Sequence, residues 1–355
     1  VRSVLRHRGF AALSVLILAL GIGANTAMFS VLHGVLLQPL RLPEPDRLLS
    51  LGWDYRDWRL AFSDEQFREL AGAQRSFSAF AARTRVSFTL AGREGSERIP
   101  AQHVTADYFS ALGLQPDRGR DFTAADDRVG VEKTVILTDA LWRRSLGSDP
   151  GVLGRPLTLD GEPYTVIGIL PAGRSDETGA ELYVPLAPVA RSIGQGTNYE
   201  VIGRLAAAVS PERAQAELDI LAERWLAALP ERPPGTMRLT AVGYGDELTR
   251  EARQPLWMLS AAIAFVLLIA CANVANLMMV RAAHRSRELA VRSALGASAG
   301  RLRRLLLLES MTLSLLGAVV GLGVARLGLS ALLHLRAETL PRTGEISLDG
   351  TAFAF

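Results

Sequence analysis

Few side chains in this 355-residue chain are spaced to do covalent chemistry. Its nitrogen and sulfur ligands for a metal are five histidines and one cysteine, Cys271, and His103 has no second histidine at metal spacing. One thiol closes no disulfide. Ser145 and Ser148 sit in no Gly-x-Ser-x-Gly corner, the strained turn that exposes a nucleophilic hydroxyl. Lys133 follows no glycine-rich run, so the backbone cradle that ATP phosphates require is missing. The pair Asp126-Asp127 reads as a solvated cap. These patterns predict no catalytic centre, no metal site and no cofactor held by the chain itself.

One constellation stands out, and it is basic. Residues 281–304 hold Arg281, Arg285, Arg287, Arg292, Arg301, Arg303 and Arg304 against one acid, Glu288. Within it, RSRELAVRSALGAS (Arg285 to Ser298) reads as a short helix ended by Gly296, which tolerates a left-handed conformation. Ser298 is placed to cap the following helix. Two readings stand: an arginine-rich membrane anchor, or a docking helix for a cytoplasmic partner. Glu288 decides between them poorly by pairing alone, since exposed i,i+4 pairs contribute only about 0.3–0.5 kcal/mol.

The elements that must position this helix are apolar. Phe10 to Leu37, Pro255 to Val280 and Leu305 to Ala325 are nearly uncharged, and each is long enough to cross a bilayer, which takes about 20 residues. Arg2, Arg6 and Arg8 before the first segment resemble a signal-peptide start, but a signal core is about 7–15 residues long, so an uncleaved span is expected. The hydrophobic set is 49% and charged residues 21%, which excludes a disordered chain. Residues 38–254 hold 26 Arg and Lys against 31 Asp and Glu. The positive-inside rule therefore puts 1–8 and 281–304 in the cytoplasm and 38–254 outside. The net charge of +3 is a topology signal, and nucleic acid is not an expected partner. The organisation expected is a cytoplasmic start at 1–8, a span at 9–37, an outer domain at 38–254, a span at 255–280, a cytoplasmic loop at 281–304, a span at 305–335 and an outer stretch at 336–355. The last stretch ends on apolar residues that read as the start of a fourth helix, and the chain as a fragment or a truncated product. Gly317 and Gly321 are spaced for close helix packing, and Asn25, Asn273 and Asn276 for hydrogen bonds between spans.

The outer segment reads as an α+β domain. Expected strands are Arg47 to Trp53, Val86 to Leu90, Thr134 to Leu137, Pro156 to Leu159, Tyr164 to Leu170, Val201 to Ala206 and Leu239 to Val242. Asp160-Gly161 predicts a hairpin turn. Helices are expected after the capping box Ser63-x-x-Gln66, over Thr105 to Leu112, from Asp139 to near Gly147, and from Ser210-Pro211 to about Leu229 with Ala214, Leu218, Leu221 and Trp225 inward.

The basic loop resembles the E-[IL]-[AG]-[VI]-[RK]-x-A-[LI]-G-A-[ST] loop of FtsX-like permeases, the membrane subunits of MacB-type ABC transporters. ALGIGANTAMFSVLHGVLLQPLRLPEPDRL, Ala19 to Leu48, resembles the start of the duplicated orphan permease group of that family. VTADYFSALGLQPDRGRDFT and VILTDALWRRSLGSDPGVLGRPLTLDGEPYTVIGILP extend the similarity over nearly the whole chain. The resemblance implies a non-enzymatic, multi-pass permease of the inner (plasma) membrane. Its outer domain is two-lobed, with one lobe inserted at about 86–190, and ATP is bound by a separate cytoplasmic ABC ATPase that docks on the basic loop at Arg285, Glu288, Arg292 and Gly296. It implies a truncated first half that works with a second permease half or as a homodimer, and that couples the ATPase to movements of the outer domain, for export or signalling across the envelope, with a periplasmic adaptor where the role is export. A regulator of a cell-wall hydrolase and a membrane-anchored outer enzyme are the competing readings.

The topology makes a direct prediction. With Cys271 replaced by Ser, a cysteine at Ser175 reacts with an impermeant maleimide in intact cells, and one at Ser286 reacts only after permeabilisation. The reverse pattern overturns the orientation.

Overall fold

The computed structural model describes residues 8–56, 58–92, 95–128, 130–186, 199–230, 235–284 and 299–336. The chain divides into two units. A helical unit takes Val1–Gln38 and Glu251–Phe355, and a sheet unit takes Pro39–Arg250.

The chain opens with α1 (Arg8–Leu32), which ends in one π-helical turn, His33–Leu37. Prolines then break the helix, and the chain enters the sheet unit through a 3₁₀ turn at Pro45–Arg47. There follow β1 (Leu48–Tyr55), β2 (Trp58–Leu60), α2 (Asp64–Ala73), β3 (Phe77–Gly92), β4 (Gly95–Val104) and α3 (Tyr108–Leu112). Next come β5 (Arg118–Gly119), β6 (Thr134–Leu137), α4 (Asp139–Leu146), β7 (Pro156–Leu159), β8 (Glu162–Ile169) and β9 (Leu182–Pro185). The unit closes with β10 (Glu200–Leu205), α5 (Pro211–Ala228), β11 (Met237–Gly243) and the start of α6 (Tyr244–His284); α7 (Ala299–Arg336) is the last helix described.

Local chemistry sets many of these boundaries. Ser63 accepts from the Gln66 amide while Gln66 accepts from the Ser63 amide, which satisfies two orphan donors at the start of α2. Thr138 caps α4 and Ser210 caps α5, with Pro211 at the first helical position. Asp160 and Gly161 both take positive φ, as the two-residue hairpin between β7 and β8 requires.

The strands form one mixed sheet in the order β11-β1-β10-β3-β4-β9-β6-β8-β5, with β2 on β1 and β7 bridging β3 and β8. Most pairs are antiparallel; β4 with β9 and β6 with β8 run parallel. Three cores lie along it. Trp53, Phe62, Phe80, Leu218 and Leu226 fill one beneath α2 and α5. Leu137, Leu141, Trp142, Leu159 and Val166 fill a second in the stretch expected as the inserted lobe. Tyr108, Phe109, Leu112, Tyr183 and Tyr244 fill a third between them.

The structure extends the sequence reading at specific places. β3 runs from Phe77, nine residues before the expected start at Val86, because it pairs with β10 at one end and β4 at the other. β2, β4, β5 and β9 were not anticipated: β4 (GSERIPAQHV) and β9 (LYVP) carry prolines and charges, and long-range pairing makes them strands. α3 starts at Tyr108, after a turn at Thr105–Asp107. On α5 the buried line is Ala214, Leu218, Ala222 and Leu226, with Leu221 and Trp225 at its margin; the Trp225 ring lies 5.2 Å from that of Trp53.

Among the described residues, three stretches are long and apolar enough to cross a membrane: Ala12–Leu37, Tyr244–Val280 and Ser310–Gly328; the start of a fourth helix expected at the end of 336–355 lies outside the described residues. α6 begins well before the span expected at 255–280, because its charged first turns belong to the sheet unit.

Gly203, mid-strand in β10, lies under the Phe77 ring, and a Cβ there would overlap the buried ring. Gly203→Ala should destabilise the sheet unit by about 1–3 kcal/mol, the usual cost of overpacking, read from the urea midpoint of the solubilised chain.

Candidate coupling site

The predicted docking residues Arg285, Glu288, Arg292 and Gly296 lie outside the described residues, as does Ser298. The other predicted site residues are described. Gly317 and Gly321 face α1: a Cβ on Gly317 would meet Leu18 Cβ at 2.7 Å, and one on Gly321 would meet the Ala19 carbonyl oxygen at 3.0 Å. A Cβ on Gly23 would in turn meet the Gly321 carbonyl oxygen at 2.7 Å. Only glycine permits this approach of two backbones, which is how apolar helices associate where lipid removes the hydrophobic drive. On the other side of α1, Asn25 donates from Nδ2 to the Ile263 carbonyl oxygen at 3.3 Å and to the Gly21 carbonyl oxygen at 3.0 Å, tying α1 to α6. Asn273 and Asn276 are not brought to that contact; both are exposed on α6.

Residues singled out for chemistry have structural employment. The Nδ1 of His103 lies 3.0 Å from the Pro185 carbonyl oxygen, and burial lowers its pKa. Ser145 donates to Glu97, and Lys133 pairs with Glu162. Asp126 does not cap a helix. It holds Arg120 through two bonds of 2.7 Å and accepts from Thr123, and the Arg120 bonds above all bring its carboxyl down to about 2.

The sheet unit grips both of its chain connections through buried arginines. At the entry, Arg204 on β10 donates from Nη2 to the Pro43 carbonyl oxygen at 3.0 Å and from Nε to the Ala111 carbonyl oxygen at 2.8 Å. Burial, with Arg47 nearby, lowers its pKa. Arg47 donates back to the Leu205 carbonyl oxygen at 2.7 Å. At the exit, Arg59 pairs with Glu247 on the first turns of α6 at 3.1 Å and with Asp54 at 3.1 Å.

Deepest is Arg83, 3% exposed on β3. It donates to Glu200 Oε2 from Nη2 at 2.6 Å, and from Nη1 to the hydroxyls of Tyr244 at 3.1 Å and Tyr108 at 3.4 Å. Asp176, fully buried, lies 3.8 Å from it and accepts from the Tyr108 hydroxyl at 2.8 Å. The Tyr244 hydroxyl donates to the Asp176 carbonyl oxygen at 2.8 Å. Gln102 and Thr178 close the network around Asp176. Burial alone would discharge Arg83, but the phenolic oxygens, Glu200 and Asp176 hold it firmly charged. Burial would raise Glu200, and Arg83 with Arg85 outweighs that and holds it below the usual glutamate value. Burial raises both Tyr108 and Tyr244, keeping them neutral donors. Sequence reasoning passed over these residues. The only signal was an arginine placed among small and apolar strand residues, as in Ala81-Ala82-Arg83 and Val201-Ile202-Gly203-Arg204.

Residues 11–221, more than half of the chain, match the MacB-like periplasmic core domain, and residues 260–351 match the FtsX-like permease C-terminal domain. The chain belongs to the MacB/FtsX-like permeases of ABC transporters. The permease is 27% identical over 257 residues to the macrolide export ATP-binding/permease protein MacB of Rhodopseudomonas palustris (strain HaA2), covering 71% of this chain and 38% of that protein. It is 24% identical over 341 residues to the uncharacterized ABC transporter permease YknZ of Bacillus subtilis (strain 168), covering 91% of this chain and 83% of that one. The crystallised periplasmic region of MacB from Actinobacillus actinomycetemcomitans is similar with a TM-score of 0.45 at 16% identity, covering 64% of this chain and 98% of that one. The permease spans little more than a third of the length of the MacB relatives it matches, 38% and 35% of two of them. Its apolar helices and periplasmic-type domain make it a membrane protein whose sheet unit is extracytoplasmic.

Filling the glycine seam should separate α1 from α7. Gly317→Leu with Gly321→Leu should lower the melting temperature of the micelle-solubilised permease by about 5 °C or more and leave its yield in the membrane fraction unchanged. Asn273→Leu with Asn276→Leu should leave that temperature within about 2 °C.

Proposed function

We propose that this permease couples a separate cytoplasmic ATPase to movements of its extracytoplasmic domain, for export across the envelope. The observation that carries this reading is α6, one helix from Tyr244 to His284. Its first turns are held by Arg83 and Arg59 in the sheet unit, and its apolar stretch is span-like. At 1.5 Å per residue its 41 residues extend about 60 Å, more than a bilayer needs. Pro255 removes one intrahelical bond without ending the helix.

In this mechanism ATP binds the partner, and closure of the partner's nucleotide-binding subunits pushes on the basic loop between α6 and α7. Arg285, Glu288, Arg292 and Gly296 would form the docking surface. The push travels outward along α1 and α6, and the sheet unit opens or closes. The names of the MacB relatives, macrolide export proteins, favour export over signalling. The apolar side chains exposed along α6 and α7, among them Phe265, Leu268, Met311 and Leu315, suit lipid and the spans of a second half or second copy.

The experiment is capture of the genomic-neighbour ATPase by the solubilised permease, together with its stimulated hydrolysis. A charge-assisted contact is worth about 1.5–3 kcal/mol, so Glu288→Lys should weaken capture about ten- to a hundredfold with insertion intact. Gly296→Val should act alike, because a β-branched residue resists the left-handed turn. Parent-like capture and stimulation by both variants would reject the docking assignment.

A further inference from the structure

The Arg83 network adds the start of α6 and the loop after β8 to strands that already pair. Arg83 comes from β3 and Glu200 from β10, in the body of the sheet unit. Tyr108 comes from α3 and Gln102 from β4. Asp176 and Thr178 come from the loop between β8 and β9, which returns from the stretch packed around Leu137 and Val166. Tyr244 is the first residue of α6. Its hydroxyl accepts from Arg83 and donates to the main chain of Asp176, so one oxygen links the helix start to the body and to that loop.

Burying a guanidinium with the Asp176 carboxylate is a poor way to gain stability, because well-packed apolar groups of the same volume often do as well or better. What charged and hydrogen-bonded groups supply is direction. Each partner is accepted in one geometry, and displacement of one obliges the others to follow. Glu200 is the half-exposed edge of the network, but on the other side Tyr244, Tyr108 and Asp176 are all buried and the groups satisfy one another, so a shift of Tyr244 is passed to its partners.

We propose that Arg83, Asp176 and Tyr244 form the joint by which the outer end of α6 sets the position of the 175–182 loop and the lobe behind it. Arg83 is the positioning residue, and Tyr244 and Asp176 are its two arms. The proposal rests on the coupling function above and names the residues through which movement leaves the helix. Within the sheet unit, the residue after Tyr244, Gly245, packs against Leu40 of the entry segment.

The test is amide hydrogen exchange, read by mass spectrometry on the full chain in nanodiscs. Tyr244→Phe keeps the buried ring and deletes only the hydroxyl. It should accelerate exchange across 175–182 by about fivefold or more, with α5 and β6 unchanged, because local opening follows local loss of contacts. Tyr108→Phe, which removes the hydroxyl that donates to the Asp176 arm, should accelerate 244–250 in the same way, and it carries the test if Tyr244→Phe does not fold. Tyr164→Phe deletes a hydroxyl in the lobe core and should change neither segment. Acceleration confined to the substituted segment, acceleration spread evenly through the sheet unit, or the same pattern from Tyr164→Phe would each overturn the joint. No ATPase enters this measurement. A permease that captures no ATPase would end the coupling function and leave the exchange result standing, whereas exchange that does not spread ends the joint however the ATPase behaves.

Discussion

A guanidinium taken out of water must be matched by charge and filled with acceptors, and Arg83 imposes that requirement on the sheet unit. Meeting it brings together β3, β10, α3, the loop after β8 and the first residue of α6. Removing one partner of such a buried set typically costs about 3–5 kcal/mol, because the charge left behind has nothing to pair with. The tyrosines around it are therefore kept for their hydroxyls as much as for their rings. The third core, with Phe109, Leu112 and Tyr183, packs around this polar centre. Arg204 and Arg59 repeat the device with main-chain carbonyls and with Glu247, one at each connection of the unit.

The helical unit solves a different problem with the opposite chemistry. Lipid rewards no apolar burial, so α1 and α7 approach through glycines until backbone meets backbone at Gly23 and Gly321. One polar bond, from Asn25 to the Ile263 carbonyl, joins α1 to α6. Span one is thus the common neighbour of the other two. Small residues and one half-buried amide hold these helices together.

The match to the MacB-like periplasmic core domain covers α1 and most of the sheet unit, and the FtsX-like match covers most of α6, all of α7 and the residues between. No step of the proposed mechanism calls on covalent chemistry by this chain: its histidine, serine and lysine candidates hold strands and loops in place.

Local signals were legible because they are local. The capping box at Ser63, the Ser210-Pro211 start, the Asp160-Gly161 turn and the strand Thr134–Leu137 depend on neighbours in sequence, and each appears where the residues put it. The apolar segments were equally plain, since length and the absence of charge set them apart from any globular helix. Charge asymmetry around them was enough to expect an orientation. The tertiary structure alone decided the rest. β4 and β9 are strands because each finds partners far away in sequence or across the sheet, β4 between β3 and β9 and β9 between β4 and β6, and β3 is long because it has a partner at each end. The burial phase of α5 follows from which face meets Trp53. Arg83 and Asp176 are 93 positions apart by number and Tyr244 is 161 from Arg83, so no spacing rule links them. An arginine in a strand reads as a solvated charge until the chain folds around it, because the cost of burying it, and the partners that meet that cost, exist only in three dimensions.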